Sequence, residues 1–371
     1  MNDVSSVKTA EGGGGYFERK FFASSNSADG FHNDYSYCFG EESGVAHLYI
    51  IKGGPGTGKS HFMRTIARYA ESKGYDTTYY YCSSDPASLD GIRLEKAGKP
   101  CLGFVDGTPP HIWEPTYPGV KEEIINLGSF WDATALRRAD DQIFALNQGK
   151  KACYDRAYRY LKACGQTSKA AGDLLSPCIL DQKLSALASR LVRGQGGDEF
   201  EVTPAHLGAV GMTGSVYFNT YAQMAEKARG EVVYIHDYYG TGYTLMKKVY
   251  GLAEKRRCKI LVSRDPVHTN KIDGIFFSDT SFCLLVSDAA DGPPTCRDIS
   301  LRRYVDSIML KERRGEIRHA LGLTKTLKEG AVRSLIEAGK YHFALEKIYA
   351  SAMDFSAKEN YTQSLCKRYF G

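Results

Sequence analysis

The run GGPGTGKS at residues 53–60 has the residue types and spacing of a loop that wraps a polyphosphate. Gly53, Gly54, Gly56 and Gly58, with Pro55 and Thr57 between them, let main-chain N–H groups approach phosphate oxygens closely. Lys59 stands where an ammonium reaches the β- and γ-phosphates, and Ser60 where a hydroxyl ligates Mg²⁺. The expected partner is a nucleoside triphosphate, with ATP and Mg²⁺ as the cofactors.

Such a loop needs a strand before it and a helix after it. HLYIIK at residues 47–52 is a short β-branched and aromatic run suited to a buried strand. From Lys59 onward, Phe62, Met63, Ile66, Ala67 and Ala70 recur at three- and four-residue spacing, which makes one apolar helical stripe. The positive end of that helix would add to the attraction for phosphate.

A carboxylate is also needed to hold Mg²⁺, and CLGFVD at residues 101–106 places Asp106 at the end of an apolar strand. A turn residue opening DGTPP is the competing reading of Asp106. Asp85, after the expected strand at 77–82, could position water or an acceptor from a strand end, or could cap a turn before Pro86. His111 has the same two readings, with a structural role favoured. The catalytic candidates are therefore Lys59, Asp106 and Asp85, and the metal candidates Ser60 and Asp106.

The chain also resembles itself. YIIKGGPGTGKS returns as YIHDYYGTGYT at residues 234–244, with Gly56, Thr57 and Gly58 answered by Gly240, Thr241 and Gly242 at an offset of 184. LDGI at 89–92 returns as IDGI at 272–275, and CLLVSD ending at Asp288 answers the strand ending at Asp106. AYRYLKACG at 157–165 returns as AVRSLIEAG at 331–339, now offset by 174. The chemistry is not repeated, because Lys59 becomes Tyr243, Gly53 becomes Asp237 and Pro55 becomes Tyr239. An aspartate at the loop entrance repels polyphosphate, so weak or no MgATP binding is expected there, even though Thr244 and Asp288 keep the metal positions.

The fold class expected is α/β: two tandem P-loop NTPase-like domains, each a mainly parallel sheet flanked by helices, with helical insertions. The division is a flexible leader at 1–20 containing Gly12 to Gly15, a domain at 21–193, a linker at 194–204 and a degenerate repeat at 205–371. Charged, helix-prone stretches lie at 132–164 and 301–350; Arg137, Arg138, Arg156 and Arg159 of the first could reach a γ-phosphate, but solvated helix faces are the favoured reading of them. Arg264 is a further candidate across the interdomain cleft.

Composition narrows the class. A formal net charge of +5 with interspersed signs does not indicate nucleic acid. No run of about 18 apolar residues is present to span a bilayer, so a cytoplasmic location and no membrane partner are expected. The ten cysteines contain no C-x-x-C pair, which argues against a zinc cage or a disulfide framework.

The tandem layout, with CSSDPASLDGI, FVDGTPPHIWEPTYPG and KEEIINLG, resembles an uncharacterised bacterial family of double P-loop ATPases from Gram-positive anaerobes and spore-formers. The resemblance covers nearly the whole chain and implies ATP binding or hydrolysis at residues 53–60. It also implies a GxPGTGKS-like loop in each repeat, from which this chain departs at Asp237, Tyr239 and Tyr243. The expected activity is an ATPase with one competent site. A nucleotide or small-molecule kinase and a nucleotide-sensing module without turnover, acting on an unknown protein partner, are the alternatives.

Overall fold

The computed structural model describes residues 8–9, 18–287 and 296–371. The glycine run at 12–15 and Asp288 lie outside the described residues.

Two sheets of six strands form the framework. The first contains β1 (Arg19–Phe22), β2 (His47–Lys52), β3 (Asp76–Tyr81), β4 (Leu89–Glu95), β5 (Leu102–Asp106) and β6 (Glu122–Asn126), in the order β1-β3-β4-β5-β2-β6. The second contains β7 (Glu201–Pro204), β8 (Val232–His236), β9 (Lys259–Arg264), β10 (Ile272–Phe277), β11 (Phe282–Ser287) and β12 (Arg297–Ser300), in the order β7-β9-β10-β11-β8-β12. The two orders are the same when strands are taken by rank. In each sheet one strand, β4 or β10, runs antiparallel to the other five. Residues 19–20 of the expected leader and 201–204 of the expected linker are thus edge strands.

Helix α1 (Lys59–Ser72) follows the first glycine loop and lays Phe62, Met63, Ile66, Ala67 and Ala70 on its sheet. That is the stripe read from the three- and four-residue spacing. The much longer α2 (Asp140–Leu175) is followed by the short α3 (Asp181–Leu191), and after α4 (Thr241–Lys255), which follows the second loop, the long α5 (Ser307–Ser351) is likewise followed by α6 (Phe355–Phe370). At 1.5 Å per residue the 36-residue α2 is about 54 Å long. It packs along α5 through Ala157, Leu161, Cys164, Ala331 and Leu335, small and branched side chains that let the backbones approach. Gly149 accommodates the Tyr341 ring at a site where a Cβ would collide with it.

The long helices carry their successors across the molecule. Leu184, Leu187, Ala188 and Leu191 of α3 enter the core of the second sheet, against Leu245, Met246 and Val249 of α4. Leu365, Cys366 and Phe370 of α6 enter the core of the first sheet, with Phe62, Ile66 and Ala70 of α1. The division at 194–204 therefore separates the two sheets, while each sheet is completed by a helix from the other half.

The hydrogen bonds between the halves obey the offset of the repeat. Phe22 N donates to His206 O at 2.9 Å, a pair separated by 184 residues. Ala28 N donates to Val267 O at 2.8 Å, and Met212 N to Ser84 O at 2.6 Å. Because Met212 answers Ala28, the contact is made twice with the halves interchanged, as in an isologous interface. The latches behind the long helices repeat too, at offset 174. Asp306 N donates to Cys178 O at 2.8 Å and Leu180 N to Tyr304 O at 2.9 Å, while Asp132 N donates to Ala352 O at 2.7 Å and Asp354 N to Phe130 O at 2.8 Å.

Candidate functional site

The first glycine loop joins β2 to α1 at the edge of the sheet where the parallel strands end. Gly56 and Gly58 have φ of 71° and 79°, the left-handed region in which a side chain is strained. Thr57 Oγ1 donates to Gly54 O at 2.8 Å and braces the turn. Lys59 folds back over the loop, donating from Nζ to Gly53 O at 2.9 Å and Gly54 O at 3.0 Å. Its ammonium also stands 3.5 Å from Asp106 Oδ2, so Lys59 and Asp106 are brought together. Asp106 Oδ1 accepts from Thr108 N and Oγ1 at 2.9 and 2.6 Å, which orients the carboxylate. Ser60 Oγ accepts from Leu89 N at 3.0 Å and so sits beside the first residue of β4.

That neighbour introduces a carboxylate which spacing alone did not single out. Asp90 is buried, accepts from Tyr35 Oη at 2.9 Å, and lies 3.4 Å from His111 Nε2. Burial raises its pKa, the positive potential of His111 opposes this, and the charge of Asp106 adds to the rise. Asp90 reaches the same sheet edge as Asp106 because β4 runs antiparallel, so its first residues lie where the parallel strands end. His111 Nδ1 has no hydrogen-bond partner. The repetition of LDGI as IDGI was the signal available for Asp90.

Asp85 is used differently. Its carboxylate accepts from Ala87 N at 3.3 Å and Ser88 Oγ at 2.7 Å, which closes its own turn. Asp265 in the second half does the same for Val267 N at 2.9 Å and His268 N at 2.8 Å. The duty is shared by both halves and matches the turn reading of an aspartate before proline. Arg156 pairs with Glu337 and donates to Ser334 Oγ at 3.2 Å, on the helical stalk. Arg264 Nη1 donates to Thr269 O at 3.3 Å.

The far half of the chain covers the loop. The place of a Cβ at Gly56 is taken by the backbone carbonyl of Glu346, and at Gly54 it would lie 3.0 Å from the Tyr349 ring. The carboxylate of Glu346 is held below the usual range by its hydrogen bond with His342, then by Lys59 and the Gly56 amide, against the effect of burial. Lys358 and Phe355 of α6 flank Gly58. A cleft of about 470 Å³ beside these groups is lined by Trp131, Asp132, Met353 and Asp354 among others.

The second glycine loop has the same path and different content. Gly240 takes φ of 96°, and Tyr239 takes φ of 59° despite its side chain. Asp237 Oδ2 accepts from Gly240 N at 2.6 Å and Oδ1 from Gly242 N at 2.5 Å. The carboxylate thus takes the amides that an intact loop offers to phosphate, a local effect added to the repulsion expected from its charge. Tyr243 Oη donates to Asp265 Oδ2 at 3.3 Å. Tyr238 and Tyr239 pack against Leu174 and the end of α2.

One further cluster joins the halves. His206 Nε2 lies 2.5 Å from Asp34 Oδ2, and His32 Nε2 lies 3.4 Å from it. His206 Nδ1 accepts the Arg264 amide at 3.2 Å, so the ring proton is on Nε2 and donates to Asp34. A nitrogen that carries a proton has no lone pair for a metal, and the group acts as a hydrogen-bonded staple.

A family model described as Nephrocystin 3, N-terminal, matches residues 31–92, the segment that holds β2, the first loop, α1, β3 and the start of β4. No curated protein and no solved structure matches the chain. No helix among the described residues is long and apolar enough to cross a membrane.

Proposed function

We propose that the chain binds a nucleoside triphosphate, as MgATP, at residues 53–60 and hydrolyses it slowly, while the second half holds the shape of the site and does not itself bind MgATP. The observation that carries this reading is the contrast between the loops. In the first, Lys59 lies on the loop beside Asp106. In the second, Asp237 fills the equivalent amides and a tyrosine replaces the lysine.

The residues present suit the ligand. Gly53, Gly54, Pro55, Gly56, Thr57 and Gly58 shape the cradle, and Lys59 exchanges its contacts with Gly53 O and Gly54 O for phosphate oxygens. Ser60 and Asp106 are hard oxygen donors of the kind Mg²⁺ takes, with Asp90 close behind them. Bound Mg²⁺ would neutralise charge developing on the phosphate oxygens. Asp90 and His111 are placed to hold a proton at the sheet edge, with burial favouring the protonated carboxyl of Asp90. The matched segment at 31–92 contains the whole loop. The tandem family suggested by the sequence remains part of this proposal.

Calorimetric titration with MgATP, followed by phosphate release, tests it. Saturable binding that is lost in Lys59→Ala supports the site, since one charge-assisted contact to phosphate is worth roughly 1.5–3 kcal/mol or more. Equal affinity in Lys59→Ala and the unaltered chain would overturn it.

A further inference from the structure

Lys358 lies in the first turn of α6 and is covered there, with 4% of its side chain exposed. Its Nζ stands 3.3 Å from the place a Cβ on Gly58 would occupy, at the junction of the loop and α1. His61 Nδ1 is 3.4 Å away, Glu359 Oε2 is 3.9 Å away, and the Phe355 ring is 5.8 Å from the ammonium. None of these is a carboxylate at hydrogen-bond distance. Its ion-pair partner Glu359 is distant and partly exposed, so the pairing offsets only part of the cost of burial, and burial lowers the pKa of Lys358 while Glu359 opposes the change. An anion at the loop would relieve that cost.

The repeat supplies an internal control. At the offset of 174 that relates the two latches, Lys358 answers Leu184 of α3, which is fully buried in the core of the second sheet. The same comparison sets Glu346 against Gly172 and Tyr349 against Leu175. The exchanged helix carries a lysine where it meets the loop that keeps Lys59, and at the corresponding position of the other half a leucine in the apolar core with Leu245, Met246 and Val249 of α4. Leucine also satisfies the packing of that position, so packing alone does not call for an ammonium.

We propose that Lys358 is a second phosphate-binding cation, delivered by the C-terminal helix to the Gly58 side of the loop, where it meets the polyphosphate of a nucleotide. The proposal rests on the nucleotide-binding reading of residues 53–60. It makes the site a composite of both halves, since Lys59 comes from the first and Lys358 from the second. Polyphosphate then ties α6 to α1 through charge in addition to their apolar contact.

The test is a set of MgATP titrations on the full chain, comparing the unaltered protein with Lys358→Leu, Lys358→Arg and Lys59→Ala, with thermal unfolding recorded without nucleotide. Lys358→Leu should weaken binding about 10- to 100-fold, the effect of losing one charge-assisted phosphate contact. Lys358→Arg should keep most of the affinity, and the unliganded leucine variant should melt no lower than the parent. Binding by Lys358→Leu equal to the parent would overturn the role of Lys358 and leave the loop assignment standing. Equal weakening by leucine and arginine would also overturn it, because shape and not charge would be responsible. A parent chain that does not bind at all would defeat the nucleotide reading and this role with it. Should Lys358→Leu not fold, Lys358→Gln replaces it under the same criteria.

Discussion

Glu346, near the end of α5, sets its backbone carbonyl against Gly56, and the Gly56 amide and Lys59 both help to hold its carboxyl below the usual range, although 290 residues separate Glu346 from Gly56. A phosphate bound at the loop needs those same two donors. The Glu346 carboxylate and a polyphosphate therefore compete, and their like charges repel.

Removing the charge should help the ligand. Glu346→Gln is expected to raise MgATP affinity about 3- to 10-fold, or roughly 1 kcal/mol, without affecting the loss caused by Lys59→Ala. Titration of both variants measures this, and unchanged or weaker binding by Glu346→Gln would contradict the competition.

The second loop should lose stability when its internal anion is removed. Asp237 satisfies Gly240 N and Gly242 N, so Asp237→Ala leaves those two amides without their carboxylate and should cost about 1–3 kcal/mol. Urea unfolding would read this as a lower midpoint. MgATP should not bind at that loop in the variant, because Tyr243 still stands in place of a lysine.

Exchange of α3 and α6 predicts that neither half is complete alone. Leu365→Ala removes a buried side chain from the core beneath the first loop and should destabilise by about 2–4 kcal/mol. A fragment of residues 1–193 should show little amide-exchange protection in β2 and α1, and recover it when residues 194–371 are added. Full protection in the isolated fragment would argue that α6 is dispensable.

Asp273 should make stability depend on pH. It is buried in β10, and burial is the main cause that pushes its pKa up to about 7 from 3.8, with the charge of Asp265 adding and Ser263 opposing. The folded state then holds its proton while the unfolded chain releases it. Stability falls as pH rises from about 4 to 7 and levels off above, a penalty of at most ~4 kcal/mol at ~1.4 per pH unit. Asp273→Asn should therefore be more stable than the parent at pH 8, with the gain shrinking toward pH 4.5. A gain independent of pH would show that titration of Asp273 is not responsible.

Local rules made part of this molecule readable. HLYIIK became β2 because its residues suit a buried strand, and the spacing of Phe62 to Ala70 became the buried face of α1. Asp106 ends β5 as its apolar run suggested. Asp90 was harder to read, because its position at the site depends on β4 running antiparallel, and strand direction comes from pairing with distant residues. Asp85 shows the opposite case, a carboxylate in a promising place whose oxygens are used by its own turn.

The chain's own residues determined the glycine loop, the apolar faces on either side of it, and the repeat in which one loop keeps its lysine and the other does not. These follow from neighbours within a few positions, or from matching one stretch against another. Only the tertiary structure decided what covers the intact loop. The long helices α2 and α5 carry α3 and α6 onto opposite sheets, and so bring Glu346 and Lys358 to Gly56 and Gly58. No periodicity reports that exchange, because α6 is an amphipathic helix whichever sheet it meets. The partner is chosen by the length and direction of the helix before it and by the apolar surface left open on α1.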